Sequence, residues 1–322
     1  MKAIVRHRYG DHSVLQLRDI QAPVPGEDEA LVRVVAASVN PYDWYAMTGI
    51  PYIVRPEFGL RRPTQMILGS DYAGVVEAVG PAVTRFKPGD EVFGTRGGAF
   101  AEYLCTKEIR PARKPPSVSF EQAAAVPIAA RTALQALRDK GHVTAGQRVL
   151  VNGASGGIGT FAVQLAKWFG AEVTGVCSPR NVETAVKLGA DRVIDYTRAD
   201  FTRGDVRYDL IIDIAGTRSI AARRRALTRH GRLVVVGGPM KNKVLGPIVR
   251  LLRTMVVSPF VGQTLTGMMA RTNVDDLTLL AELMDSGAVV PHIERTYSLA
   301  EVPEAMRYLG EGHARGKLVI VI

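Results

Sequence analysis

Apolar residues early in the chain come in short runs that alternate with polar ones and are cut repeatedly by Pro and Gly. Ala30–Ala36, Gly74–Val79 and Asp90–Phe93 read as strands, with turns at Pro23–Gly26, Gly80–Pro81 and Pro88–Gly89. Lys114–Pro116 forms a stiff spacer, and beyond it the pattern changes. Phe120–Lys140 is Ala-rich with helical apolar spacing. Short apolar runs at Arg148–Val151, Glu172–Cys177, Arg192–Ile194, Leu210–Asp213 and Leu233–Val236 then alternate with helical stretches such as Thr160–Phe169 and Val182–Leu188. Such alternation predicts an α/β fold with a doubly wound parallel sheet, helices on both faces. The chain ends with helices near Val274–Asp285 and Leu299–Gly310 and a strand at Lys317–Ile322 that is free to return to the first part. The segments are drawn at 1–121, mostly β, 122–266, α/β, and 267–322.

A length of 322 residues suits about two domains. With 47% hydrophobic and 22% charged residues the chain is an ordinary globular one. Only two cysteines are present, Cys105 and Cys177, which excludes a disulfide framework or a multi-cysteine zinc module and fits a reducing, cytoplasmic setting. Lys2, Arg6 and Arg8 interrupt any early apolar run, so no signal peptide is expected. Thr254–Ala270 is free of charge but falls short of the ~20 residues of a membrane span, and Pro259 and Gly262 break it. Integral membrane insertion is not expected. The surrounding apolar stretch Lys241–Gly267 reads as an interior or dimer strand; a pocket cover and a peripheral membrane contact are the alternatives.

The net charge of +10 allows an anionic ligand or nucleic acid, but a solvated basic surface explains it as simply. Its densest cluster, Arg223, Arg224, Arg225 and Arg229, lies in a predicted helix expected to face water, with no aromatic residues interleaved for stacking on bases. A nucleic-acid partner is therefore not expected.

The most informative run is Val149–Ala171, VLVNGASGGIGTFAVQLAKWFGA. A buried strand enters a turn of small residues and an amphipathic helix leaves it. Ala154, Gly156 and Gly159 stand at the spacing of the dinucleotide fingerprint. Small residues permit a tight turn and close approach to a pyrophosphate, whose charge the free N–H groups of the helix start receive. Ser155, Gly157 and Ile158 complete the turn; a plain tight strand–helix connection is the alternative. An NAD site places an acid at the end of the next strand. Here that place holds Ser178, Arg180 and Asn181, with no acid between Glu172 and Glu183. A guanidinium and a hydroxyl suit a ribose 2′-phosphate, hence NADP(H) over NAD, unless Arg180 is merely a surface residue.

Taken in order, Ser38–Asp43 (SVNPYD), Gly69–Gly80 (GSDYAGVVEAVG), Phe86–Gly94 (FKPGDEVFG), Thr132–Leu137 (TALQAL), the phosphate turn, Gly189–Tyr196 (GADRVIDY), Asp213–Gly216 (DIAG) and Gly316–Val321 (GKLVIV) carry a pattern. Over essentially its whole length the chain resembles the zinc-independent quinone oxidoreductase, zeta-crystallin-like, branch of the medium-chain dehydrogenase/reductase superfamily. The resemblance implies a GroES-like catalytic domain over 1–121, a Rossmann NADP-binding domain over 122–266, a C-terminal segment completing the first, and a homodimer. Zinc-dependent relatives have a ligand Cys near position 40 and Gly-His-Glu near position 70; here stand Asn40 and Gly69–Ser70–Asp71, so no metal is expected.

The resemblance further implies that Asn40 and Tyr45 line the site beside the nicotinamide. Asn40 would orient a substrate carbonyl and Tyr45 would donate a hydrogen bond or proton. A turn residue before Pro41 and a packed aromatic are the plainer readings of the two. Tyr52 is a nearby candidate, and Asp43 reads as structural. Thr132, Tyr196, Val236, Gly237, Gly238 and Lys317 match positions near the cofactor, and Arg131 departs from the small residue that the family pattern leads one to expect. The expected activity is NADPH-dependent hydride transfer to a small quinone or an α,β-unsaturated carbonyl (enone). Metal-free alcohol or aldehyde oxidoreduction and a non-enzymatic NADPH-binding protein, structural or RNA-binding, are its rivals.

Overall fold

The computed structural model describes residues 1–216, 218–237, 248–312 and 314–322, and the side chains of these except at 248, 250, 251, 255 and 260. Two compact units emerge, one of Met1–Ala129 with Thr272–Ile322, the other of Ala130–Arg271.

The first unit begins with an antiparallel pair, β1 (Lys2–Val5) and β2 (Gln16–Asp19). Next come β3 (Glu29–Val39), helix α1 (Pro41–Thr48), the short α2 (Arg55–Phe58), β4 (Asp71–Val79), β5 (Glu91–Thr95), β6 (Tyr103–Lys107), β7 (Ala112–Arg113) and α3 (Phe120–Ala124). β3 opens with one face buried and the other partly exposed, then buries every residue of its last turnless stretch, Ala37–Val39, where a neighbour lies on each side.

One long helix over Phe120–Lys140 is not what forms. Pro127 has no N–H for a helical bond, and its ring clashes with the carbonyl four residues earlier. The helix therefore ends after Ala124 and restarts as α4 (Pro127–Gln135), with Pro127 as its first residue, before a wider turn over Ala136–Lys140.

The second unit is built on strands β8 (Arg148–Asn152), β9 (Glu172–Cys177), β10 (Arg192–Asp195), β11 (Tyr208–Asp213), β12 (Leu227–Val236) and β13 (Thr264–Met268), with helices α5 (Gly157–Trp168), α6 (Val182–Lys187), α7 (Ile220–Arg225) and α8 (Ile248–Val257). All six strands run parallel in the order β10-β9-β8-β11-β12-β13. That is the doubly wound order, in which the direction of winding reverses between β8 and β11 and leaves a crevice at the strands' carboxyl ends. A cut after residue 266 would divide β13, whose pairing with β12 keeps it in this unit. Ile248–Val257 is helix where the apolar stretch had suggested strand, and 238–247 lie outside the described residues.

The last segment holds α9 (Val274–Asp285), β14 (Ile293–Ser298), α10 (Val302–Gly310) and β15 (Lys317–Val321). β15 inserts between β14 and β3 in a seven-stranded sheet, with Leu318 opposite Val39 and Val319 opposite Ser38. Its apolar side chains join a core with Ile4, Val32, Met47, Tyr72, Val302 and Met306. Among the described residues, no helix is long and apolar enough to cross a membrane.

Ile320 is wholly buried in that core. Ile320→Ala should lower unfolding free energy by about 2–5 kcal/mol in denaturant titration, the usual range for such a core truncation. A loss below about 1 kcal/mol would contradict an interior position for β15.

Candidate functional site

In the first unit, the sheet register brings polar residues together inside an apolar core. Asn40 ends β3 and begins α1. Pairing Leu318 with Val39 sets Lys317 beside Asn40, and pairing Ser38 and Thr95 with Asp71 sets a carboxylate on the other side. Ser38, Asn40, Asp43, Ser70, Asp71 and Lys317 are all buried. The Lys317 ammonium donates to Asn40 Oδ1 at 2.5 Å and to the Val39 carbonyl at 3.4 Å. The Asn40 amide donates to Asp71 Oδ2 at 3.0 Å and to the Ser38 carbonyl at 3.3 Å. Asp71 also accepts from Thr95 Oγ1 at 3.1 Å and from the Ile128 N–H at 3.1 Å.

With both amide hydrogens engaged inside the protein, Asn40 has none to spare for a substrate carbonyl. Its contacts make it a bridge between Lys317 and Asp71. Lys317, matched by resemblance to a cofactor contact, turns its ammonium to this cluster and is itself buried. Burial pushes its pKa down, while Asp71 and Asp43 oppose the shift.

Helix α1 grows out of this cluster. Asp43 accepts the Asn40 N–H at 2.8 Å and the Ser70 hydroxyl at 2.6 Å, closing the first turn. At the far end Gly49 donates to the Tyr45 carbonyl, and the buried Arg6 guanidinium donates to the carbonyls of Ala46 and Met47, a cation where a helix C-terminus favours one. Burial pulls the Arg6 pKa to about 10, against the pull of Tyr9 and Asp43. Tyr45 sits one turn into α1, half-buried against the core. Among the described residues its hydroxyl has no hydrogen-bond partner, and burial alone raises its pKa, so the phenol stays protonated near neutral pH and keeps a proton to donate. Tyr52 is half exposed, its ring under the Arg55 guanidinium at 4.6 Å.

In the second unit, β8 runs into the turn Gly153–Gly156 and thence into α5. Gly153 has a φ of +99°, and both its N–H and that of Ala154 bond to the Val176 carbonyl at 3.0 Å. A side chain at Gly159 would meet the Gly153 carbonyl at 2.0 Å, so only glycine lets the helix start this close to the turn. The first N–H groups of α5, from Gly157, Ile158 and Gly159, have no carbonyl within the helix to bond. They can receive an anion at the crevice where β8 and β11 part.

Asn181 is buried and donates to Ser155 Oγ and Ser178 Oγ, both at 2.9 Å, tying the phosphate turn to the end of β9. Arg180 is exposed beside them. Tyr196, also exposed, reaches the same edge because its N–H bonds to the Cys177 carbonyl at 3.2 Å. Val236 ends β12 and is buried, Gly237 follows it, and Gly238 lies outside the described residues. Thr132 and Arg131 are both buried in α4. The structure thus groups Ser155, Ser178, Arg180, Asn181 and Tyr196, while Asn40 and Lys317 belong to the other cluster and Tyr45 to the helix that starts from it.

Three site features were missed by sequence reasoning. Ser70 and Asp71 had been noted only as residues in place of metal ligands. The third is an ion pair: Arg223, assigned to a solvated run, is buried and bonds to buried Asp213, which also accepts from Asn152 Nδ2 at 2.6 Å and the Gly216 N–H at 3.1 Å. The signal available was an Asp at the end of an apolar strand, Asp71 at the start of β4 and Asp213 at the close of β11, which must be paired if the strand is interior.

Two family descriptions match the chain: "Alcohol dehydrogenase GroES-like domain" over residues 26–116 and "Zinc-binding dehydrogenase" over residues 188–320. Across 99% of its length the chain is 32% identical to the chloroplastic quinone-oxidoreductase QR1 of Triphysaria versicolor, 98% of which is covered. It is 33% identical, again across 99%, to the 2-methylene-furan-3-one reductase of Solanum lycopersicum, 79% of which is covered. The quinone oxidoreductase of Escherichia coli, solved in complex with NADPH, is 25% identical with a TM-score of 0.84, and all of both chains is covered. The chain belongs to the quinone oxidoreductase-like branch of the medium-chain dehydrogenase/reductase superfamily. It is an NAD(P)H-dependent oxidoreductase, a GroES-like unit joined to a Rossmann unit.

Burial pushes the Asp43 carboxyl up to about 7; the Ser70 hydrogen bond opposes this, Asp71 adds to it, and the Asn40 N–H and Lys317 oppose it. Unfolded, the same group titrates near 3.8. Between those values the folded state holds the extra proton, so Asp43 costs stability as pH rises through that window. Asp43→Asn removes the titration. The melting temperature of the variant relative to wild type should therefore climb between about pH 4 and pH 7 and level off above. Parallel curves would contradict the assignment.

Proposed function

We propose that this protein catalyses NADPH-dependent hydride transfer to a small quinone or to the β-carbon of an enone, without zinc. The observation that carries the reading is a phosphate-binding turn with Arg180 and Ser178 beyond it in place of an acid; the other unit adds a protonated Tyr45 hydroxyl with no hydrogen-bond partner among the described residues. The relatives named quinone oxidoreductase and furanone reductase support the acceptor class.

The second unit's residues fit the cofactor. The open N–H groups of Gly157, Ile158 and Gly159 suit the pyrophosphate. Arg180 and Ser178, with Tyr196 alongside, suit a 2′-phosphate through charge-assisted hydrogen bonds. Thr132, Val236, Gly237 and Gly238 are proposed for the nicotinamide half. When bound, NADPH supplies the hydride. The acceptor's oxygen gains negative charge as hydride arrives, and Tyr45 meets it by donating a hydrogen bond and then its proton. Asn40 holds the start of α1 in place.

Zinc independence has a direct physical support. Asn40, Ser70 and Asp71 stand at the positions of zinc ligands in zinc-dependent relatives, and the Lys317 ammonium is bonded to the first of them. A fixed cation at that point repels a divalent metal. A homodimer and a cytoplasmic setting complete the proposal. β13 is the last strand of the described sheet, an edge of the kind a second copy extends, which supports the first, and a content of only two cysteines supports the second.

NADPH oxidation followed by absorbance, with quinones and enones as acceptors, tests the reading. Tyr45→Phe should lower kcat about 100-fold with NADPH affinity intact. Arg180→Ala should weaken NADPH about tenfold and leave NADH nearly unchanged. Normal turnover in the first variant, or equal losses of both cofactors in the second, would overturn the assignments.

A further inference from the structure

Lys317 takes part in no step of the mechanism, yet it is a lysine buried beside the residue from which α1 starts. Among the described residues its ammonium has two oxygen partners, Asn40 Oδ1 and the Val39 carbonyl, both at the junction of β3 and α1. Asn40 Oδ1 has Lys317 as its donor, and the amide's other end is taken by Asp71 and Ser38. The lysine therefore decides which way the Asn40 amide faces. Turned over, the amide would point its hydrogens at an ammonium and its oxygen at a carboxylate. The backbone N–H of Asn40 is in turn held by Asp43, three residues on, and Tyr45 follows two residues later.

We infer that Lys317 is a positioning residue: it locks Asn40 and the first turn of α1, and thereby sets where the Tyr45 hydroxyl stands. This rests on the reading of Tyr45 as the proton donor. The groups are brought together by three separate strands, β3, β4 and β15, and the lysine comes from the last of them. Burying an ammonium is costly unless it is hydrogen-bonded and paired. Asp43 and Asp71 both act to keep it charged. A residue of mere packing value at this place would be an apolar one.

The test is a pair of variants and their double. Lys317→Met should lower kcat about 10–100-fold, the scale of an ångström-level misplacement, with KM for NADPH changed by less than about twofold. Asn40→Ser should do the same. If the lysine acts through Asn40, the double variant is no slower than the slower single. Unchanged kcat per folded enzyme with only a lower melting temperature, or losses that multiply, would overturn the inference. A crystal structure of Lys317→Met gives a readout apart from turnover: the Asn40 amide turns or shifts and Tyr45 moves with it, whereas both unmoved would overturn the inference. If wild type itself turns over no quinone or enone, the proposed activity falls, and that crystal structure still decides the role of Lys317. Should Lys317→Met not fold, Asn40→Ser cuts the same hydrogen bond from its other end, and the same two readouts apply.

Discussion

An ammonium and two carboxylates taken out of water inside an apolar sheet must be matched by hydrogen bonds on nearly every lone pair and proton. That constraint organises the first unit. Lys317, Asn40, Asp71, Asp43 and Ser70 satisfy one another only if β15, β3 and β4 hold the register found. Slip any strand by one residue and the polar side chains change faces. The cluster is therefore both a cost in desolvation and a specifier of register, and α1 inherits its position. Arg6, bonded to the carbonyls at the other end of α1, fixes the remaining degree of freedom.

The second unit solves a different problem with backbone instead of side chains. A helix N-terminus offers unpaired N–H groups, and Gly159 lets that terminus sit hard against the end of β8. Asn181 holds the adjoining loop by bonding two serines at once. Below the turn, the Asp213–Arg223 ion pair and the Asn152 bond link β8 and β11 where the winding reverses. Rigidity at the crevice thus comes from a few buried polar contacts, while Arg180 and Tyr196, proposed to meet the cofactor, remain exposed.

Much of this was legible in residue order because its physics is local. Each parallel strand carries its own apolar run, so the alternation from β8 to β12 declares itself, and the phosphate turn needs small residues within one short loop. The expected strand at Glu172–Cys177 and helix at Val274–Asp285 coincide with β9 and α9. The polar cluster was not legible in the same way. Lys317 and Asn40 are 277 positions apart, and only β15 returning beside β3 makes them neighbours. Arg223 looks like its less buried neighbours Arg224 and Arg225 until Asp213 is seen beneath it. The break at Pro127 was readable and was overridden by an Ala-rich composition that favours helix on either side.

The proposed activity comes down to one event, transfer of hydride from the cofactor to an acceptor with protein groups alone managing the charge. Mass spectrometry of the product after reduction of a simple enone by NADPH deuterated at the transferable position, using protein dialysed against a chelator, reads that event directly. One deuterium is expected at the β-carbon, with a yield that added zinc does not raise. A product free of label, or transfer lost with the chelator and restored by zinc, would contradict it.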